Sequence, residues 1–490
     1  MSSPEIIKIS VLLIKLVAAT VLLVTGRYMG KKAKWLALGT SILSLGFFIA
    51  YIPTLQAGLN TPFDLDYLPL LGIRLSLNID WLSFPFLLTE EFVTIFAMIY
   101  ALDYLKHDNH NHFFYALLLV FSAGMSGTTM ANDIFLFYFF WELMLIASTL
   151  LLVNWGDTEK RTAIALKYFI ITHLGSLLVL IAFILIYAQS GVDSFSSLQA
   201  TVQMMPERLP LIGSLFLLGF GVKMALVPFH IWLPDTHSEA PMPVTIMLAA
   251  AMLSMGTYGI LRFPMSFLTM QQMAIYSLPM MIGGVVSELY GAIMALVETD
   301  IKRIIAYSSV SQMGYILFGL GTLTFSGVVG ATLHVIYHAI VKALLFCCVG
   351  WIIKATGKRD IRTISGLGKT MPLLSVCMIL GALAIAGVPT LALFNSEWLI
   401  FSSGFQTHYL SLAILEVLGS LLTVVYILRF VGQCFFVPGK SSMLNPVPSS
   451  IKIATVSLSI LTVVAGFFPE PLFNYVVNEM PFILGGGWVR

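Results

Sequence analysis

A glutamate at position 142 stands inside FLFYFFWELMLIAS, flanked on both sides by apolar and aromatic side chains. It has no route by which to snorkel to a membrane surface. An ionisable group near the bilayer centre costs roughly 2.5–3.5 kcal/mol on insertion scales, so it marks a functional site and calls for a partner. Lys223, shortly before Pro228 in LGFGVKMALVPFHIW, has a similar expected depth. An opposite charge within about 4–6 Å keeps both groups ionised. The pattern therefore predicts a Glu142–Lys223 pair, direct or bridged by water. Such a pair stabilises a fold weakly, because desolvation consumes its attraction, so its chemistry is the taking and releasing of charge.

His334, His338 and Lys342 recur at i, i+4 and i+8 in HVIYHAIVKALLF and share one helix face. Imidazole donates and accepts, and titrates near neutral pH, so the stripe suits a proton relay. A zinc site is not expected: HVIYH lacks the glutamate of HExxH and no third ligand is evident. Glu397, in FNSEWLI beyond Pro389, suits an exit carboxylate, and Glu288 and Glu416 are further carboxylates within apolar runs. Glu90 and Glu91 are adjacent and cannot share one helix face. At most one of them can point along a given pathway, and the other needs its own partner. Lys15 interrupts the first apolar run.

The elements that must hold these residues are membrane helices. The chain has 490 residues, 58% of them hydrophobic and 10% charged, with mean hydropathy +0.92, a balance foreign to soluble domains. Apolar runs long enough to cross roughly 30 Å of hydrocarbon recur along it, about fourteen in all. The net charge of +2 resides in short loops and gives no basic face for nucleic acid. Cys347, Cys348, Cys377 and Cys434 lack the spacing of a metal or iron–sulfur site. The first run lacks a signal peptidase site and reads as a retained helix. The expected organisation is one membrane domain: N-terminal helices over 1–112, helices over 113–262, a matching set over 273–429, and a last helix over 450–468. Cations at Lys32, Lys106, Lys160, Lys302 and Arg359 fall in alternate loops, which predicts those loops cytoplasmic and both termini on the other side. The helices 211–232 and 371–400 are interrupted by Val227-Pro228 and Val388-Pro389. The interval between them makes the second break inverted relative to the first, as in transporters built from inverted repeats.

Five segments together, FFWELM around Glu142, KYFIITHLGS from Lys167, VKMALVPFHIWLPDTHSEAPMPV from Val222, DIKRIIAYSSVSQMGY from Asp300 and HVIYHAIVKALLF from His334, carry a family resemblance over nearly the whole chain. The chain resembles the antiporter-like subunits of respiratory complex I, membrane-bound hydrogenases and Mrp-type cation/proton antiporters. The resemblance implies an all-α fold of fourteen helices with two inverted five-helix repeats, broken at the seventh and twelfth. It implies that Glu142 and Lys223 are the gating pair and that His334, His338 and Lys342 form the polar stripe of the eleventh helix. It places Glu397 at the end of the path. Lys167, His230 and His237 fall within the matching segments as secondary candidates. Ser254 stands where many relatives have a lysine that links two half-channels. Either His230, His237 or water takes over that link, or Glu288 alters the path, or the subunit pumps less directly than its relatives. The chain ends soon after the fourteenth helix, without a long lateral helix, as a middle subunit of the M or D type does.

The implied function is proton translocation within a larger redox-driven complex, among other antiporter-like and small membrane subunits and lipid. Protons are the implied cargo, with sodium as a second candidate. No cofactor is expected in this chain, with iron–sulfur clusters or other redox centres confined to peripheral partner subunits. An Mrp-type antiporter subunit without redox partners is the alternative. A polytopic membrane glycosyltransferase is a third, for which no catalytic constellation outside the bilayer is visible.

Overall fold

The computed structural model describes residues 3–58, 61–68, 73–105, 111–191, 194–439 and 444–483; Lys106, counted among the loop cations, lies outside them. Among the described residues twelve helices are long and apolar enough to cross a membrane, and two shorter apolar helices precede the proline sites.

In chain order, α1 (Ser3–Met29) and α2 (Lys32–Gln56) lead into an antiparallel hairpin, β1 (Phe63–Leu68) and β2 (Ile73–Leu77), in which Phe63 faces Leu77. The hydropathy pattern does not announce this hairpin. Then come α3 (Ser83–Ala101), α4 (Asn111–Met130), α5 (Ile134–Trp155), α6 (Arg161–Ser190) and the short α7 (Phe195–Gln203). The first break separates α8 (Leu209–Lys223) from α9 (Leu233–Glu239). One membrane-length run follows, made of α10 (Met242–Met247), a π turn over Leu248–Met252, α11 (Leu253–Arg262) and α12 (Pro264–Phe267). After it stand α13 (Met270–Val297), α14 (Ile301–Gly321), α15 (Phe325–Thr356) and the single turn α16 (Leu367–Thr370). The second break separates α17 (Pro372–Ile385) from α18 (Phe394–Phe405), and α19 (Leu410–Val431), α20 (Ser449–Phe467) and α21 (Glu470–Ile483) close the chain.

Local chemistry sets the helix ends. The Asp133 carboxylate accepts from Leu136 N, Asp300 accepts from the Lys302 and Arg303 amides, and Thr269 with Gln272 forms a reciprocal capping box. Helices α6 and α15 stop at Gly191 and Gly357, whose φ values of 65° and 68° suit a residue without a β-carbon.

Burial sorts the helices into a centre and a rim. The apolar stretches of α14 and of the run Met242–Phe267 are buried throughout, and most of α15 is buried too. By contrast α6 exposes Leu166, Ile170, Leu174, Ile181 and Ile184, and α19 exposes Leu410, Ile414, Leu418, Leu421 and Val425. These recur at helical spacing, so each forms one apolar stripe suited to lipid tails or a neighbouring apolar chain. At the centre α13 and α14 approach backbone to backbone, because a β-carbon on Gly314 would press on Glu288 N at 2.5 Å.

The breaks share one geometry. Past Lys223, Ala225 N bonds Val222 O and Leu226 N bonds Gly221 O; past Ile385, Gly387 N bonds Ala384 O and Val388 N bonds Leu383 O. This is the Schellman arrangement, with a left-handed residue at its corner: Ala225 at φ 56° and Gly387 at φ 66°. Each helix therefore ends before its proline is reached, so the interruptions are capped C-termini rather than kinks. The freed Val227 N–H is taken up by Ser287 Oγ of α13 at 3.0 Å, and Val222 O accepts from the Trp232 indole at 3.1 Å. A lipid-depth break is tolerated only where its backbone groups are satisfied in this way.

Candidate functional site

Glu142 projects from the middle of α5, and Lys223 is the last residue of α8, held at the first break. Of the two forms expected for the pair, direct or bridged by water, the direct contact is not made. Glu142 Oε2 instead meets His173 Nδ1 of α6 at 3.0 Å, and Glu142 Oε1 has no hydrogen-bond partner among the described residues. Lys223 is 2% exposed; its Nζ also lacks a hydrogen-bond partner and lies 5.2 Å from the centre of the Trp141 ring. Glu142 is near enough for its charge to act on Lys223. A cation on an indole face keeps part of its electrostatic stabilisation without a fixed hydrogen bond. The arrangement is an open pair: two opposite groups within electrostatic reach, each with one polar atom uncommitted, and a histidine ready at the carboxylate. His173 lies within the THLGS segment, yet only its position across from α5 reveals it as the partner.

The second group occupies α15 as the i, i+4, i+8 pattern requires. His334 and His338 are buried with nearly parallel rings, centroids 6.5 Å apart. His334 Nδ1 meets Ser396 Oγ of α18 at 3.1 Å and its Nε2 meets Gln312 Oε1 of α14 at 2.9 Å, so both ring nitrogens are engaged. His338 Nε2 has no partner among the described residues. Lys342 donates to Ile305 O at 3.1 Å and to Ser308 Oγ. The stripe is thus a set of spaced stations rather than a continuous hydrogen-bonded wire. Gln312 and Ser396 complete it, and neither stands out in the sequence.

Glu397 comes to the second break. Its carboxyl packs on Gly387, where no β-carbon would fit, and its Oε1 is unpartnered among the described residues. Its neighbour Trp398 is exposed, whereas Glu397 itself is buried. Glu288 of α13 lies against Gly419 of α19, one turn from Glu416, and the charges of Glu416 and Glu397 both act on it. Glu288 and Glu416 meet carboxyl to carboxyl, with the Tyr315 hydroxyl against Glu288, and no further donor reaches their four oxygens among the described residues. Two carboxyls in contact cannot both be ionised at low cost, so the pair is suited to holding one proton between them.

The remaining candidates divide. Between the two groups, His237 is fully buried with both ring nitrogens unpartnered among the described residues, near enough for the Lys342 and Lys302 charges to act on it. His230 is buried against the Tyr290 ring at 4.6 Å. Ser254 donates to Ala251 O at 2.5 Å just past the π turn and joins neither group. Lys167 belongs to the bundle end, where it meets Asp235 at 2.8 Å. That end is an ion-pair network: Arg303 bridges Asp235 and Glu298, Lys302 meets Asp157 at 3.0 Å, and Arg359 meets Asp300 at 2.9 Å. Burial alone would raise the Glu298 pKa, but the Arg303 guanidinium and the Thr299 and Asp300 amides hold it below the usual carboxylate range. Glu90 and Glu91 correct the expectation that each needs a partner of its own, for both reach Lys15.

Residues 131–423 match the family described as NADH:quinone oxidoreductase/Mrp antiporter, transmembrane, and residues 68–115 match the N-terminus of complex I chain 5. The chain is 31% identical over 474 residues to NADH-quinone oxidoreductase subunit M of Escherichia coli K12, covering 92% of each. It is 32% identical to an NAD(P)H-quinone oxidoreductase chain 4 of Thermosynechococcus vestitus, covering 94% of this chain and 88% of the relative. Its fold is similar to a chain of the archaeal membrane-bound sulfane sulfur reductase (TM-score 0.87, 29% identity, 95% of this chain and 77% of that one). It is also similar to a chain of the Mrp complex from Dietzia (TM-score 0.85, 26% identity, 96% and 51%). The chain therefore belongs to the NADH:quinone oxidoreductase/Mrp antiporter family, as an antiporter-like membrane subunit of the complex I group.

Proposed function

We propose that this chain is a proton-translocating subunit of a redox-driven complex of the NADH:quinone oxidoreductase type, with electron transfer carried by partner chains. The observation that supports it best is the series of titratable groups that runs through the bundle, nearly all of them buried and several with an uncommitted polar atom. Glu142 and Lys223 come first, His237 and Lys342 next, then His338 and His334, with Glu397, Glu288 and Glu416 at the far end. Lys223 takes up and releases a proton as its attraction to Glu142 strengthens and weakens. His237 stands in for the lysine absent at Ser254, since it lies toward Lys342 and an imidazole can both accept and donate. The two capped breaks support a pair of inverted five-helix repeats, with the broken helices seventh and twelfth among fourteen spans. The network around Lys302, Arg303 and Arg359 faces the cytoplasm, and both termini face the opposite side, as the cation asymmetry favours.

A second reading, a subunit of an Mrp-type Na⁺/H⁺ antiporter, is supported by the likeness to the Dietzia complex. Purification of the native assembly separates the two. We expect copurifying iron–sulfur subunits, and acidification of proteoliposomes that starts with quinone reduction and stops with an uncoupler. Proton movement driven by a sodium gradient, with no redox chain present, would establish the antiporter instead.

A further inference from the structure

Outside the series just described, Lys15 of α1 lies between two adjacent carboxyls of α3 with all three side chains wholly buried. Its Nζ is 3.2 Å from Glu90 Oε2 and 2.8 Å from Glu91 Oε1. The two carboxyls are treated differently. Glu90 Oε1 accepts from Ser122 at 2.6 Å and from Thr94 at 2.9 Å, while its Oε2 accepts from Ser126 at 2.6 Å and from Lys15. Four donors converging on both oxygens is the environment of a carboxylate anion. Glu91 Oε2 has no partner among the described residues. Its Oε1 meets Lys15 and Ser44 Oγ, the latter at 2.9 Å, but the single Ser44 proton also has the Val11 carbonyl at 2.9 Å to serve. A proton on Glu91 lets Ser44 satisfy both contacts, donating to Val11 and accepting from the acid.

Charge leads to the same assignment. One lysine and two ionised glutamates leave a net negative charge in the low-dielectric interior, and the charges acting on Glu91 are those of Lys15 and Glu90. A buried uncompensated charge neutralises by binding a proton. From the cluster a line of polar groups leads outward: Thr129 donates to Ser126 O, Tyr258 donates to Thr129 O at 2.9 Å, Arg262 donates to Tyr258 at 3.0 Å, and Arg262 clasps the half-buried Asp80.

We propose that Lys15, Glu90 and Glu91 form a second proton-binding site, separate from the Glu142–Lys223 series, in which Glu91 carries one exchangeable proton and Glu90 is the anion paired with Lys15. Because Lys15 reaches both carboxyls, loss of the Glu91 proton is answered within the cluster by the ammonium that already stands 2.8 Å from Glu91 Oε1. The site stands or falls independently of the translocation reading, and its test uses no pumping readout.

The test is infrared spectroscopy of the intact complex in lipid, in H₂O and D₂O. Glu91→Gln substitutes a neutral isostere for a neutral acid and is expected to assemble, to lose one carboxylic-acid carbonyl band and to leave the carboxylate bands unchanged. That band is expected to shift on deuteration in the wild type. Should Glu91→Gln fail to assemble, Lys15→Met is expected to gain one carboxylic-acid band as Glu90 takes up a proton. Loss of a carboxylate band in Glu91→Gln, no gain in Lys15→Met, or a band indifferent to D₂O would overturn the proposal.

Discussion

Lys223→Arg is expected to assemble and to lose proton translocation. Lys223 closes α8 and is buried beside Trp141 with no hydrogen bond among the described residues, so a second cation of similar reach keeps the cation–π contact and the attraction to Glu142. Guanidinium, however, stays charged under essentially all conditions and cannot become neutral after giving up a proton. Lys223→Ala is expected to fail in the same assay, with assembly largely retained, because the Glu142 carboxyl keeps its contact to His173. Proteoliposomes carrying a pH-sensitive dye read both variants, with quinone reduction followed in parallel. Near-normal acidification by Lys223→Arg would mean that the lysine acts only as a fixed charge.

Gly387→Ala is expected to damage assembly more than any surface change. At φ 66° the residue is left-handed, which costs a β-carbon-bearing residue roughly 1–2 kcal/mol. Its new β-carbon would also press on the Glu397 carboxyl, and overpacking of this kind adds about 1–3 kcal/mol. Ala225 occupies the equivalent corner of the first break, so the backbone conformation alone is tolerable there. The collision with Glu397 is therefore the term to isolate. The double variant Gly387→Ala, Glu397→Ala is expected to recover most of the lost thermal stability, whereas additive losses would show that the two residues do not press on each other.

Charges inside apolar runs were legible in the sequence because each violates the composition around it; Glu142, Lys223, Glu288 and Glu397 all declare themselves this way. Periodicity also placed His334, His338 and Lys342 on one helix, since local spacing fixes a helix face. Partners across helices were not legible. Nothing near Glu142 in sequence signals that His173 of α6, rather than Lys223, will meet its carboxylate, because that choice depends on how α5, α6 and α8 pack. The reading of Glu90 and Glu91 failed for a related reason. Adjacent positions diverge by about 100° around a helix, but long side chains can converge on a third residue entering between them, and Lys15 does so. The interruptions near Pro228 and Pro389 were legible because the prolines are conspicuous, whereas the left-handed corners that end α8 and α17 before the prolines are conformational and were not.

The most direct test of the central claim is the number of protons moved per electron pair in the reconstituted complex, compared between the wild type and Glu142→Gln. The amide keeps the size of the side chain and removes its capacity for charge, so Lys223 loses the group whose attraction is proposed to set its proton affinity. A lower proton-to-electron ratio, with electron transfer still coupled to the remaining subunits, is the result expected of a translocating chain. An unchanged ratio in an assembled complex would contradict the claim that protons pass through Glu142 and Lys223.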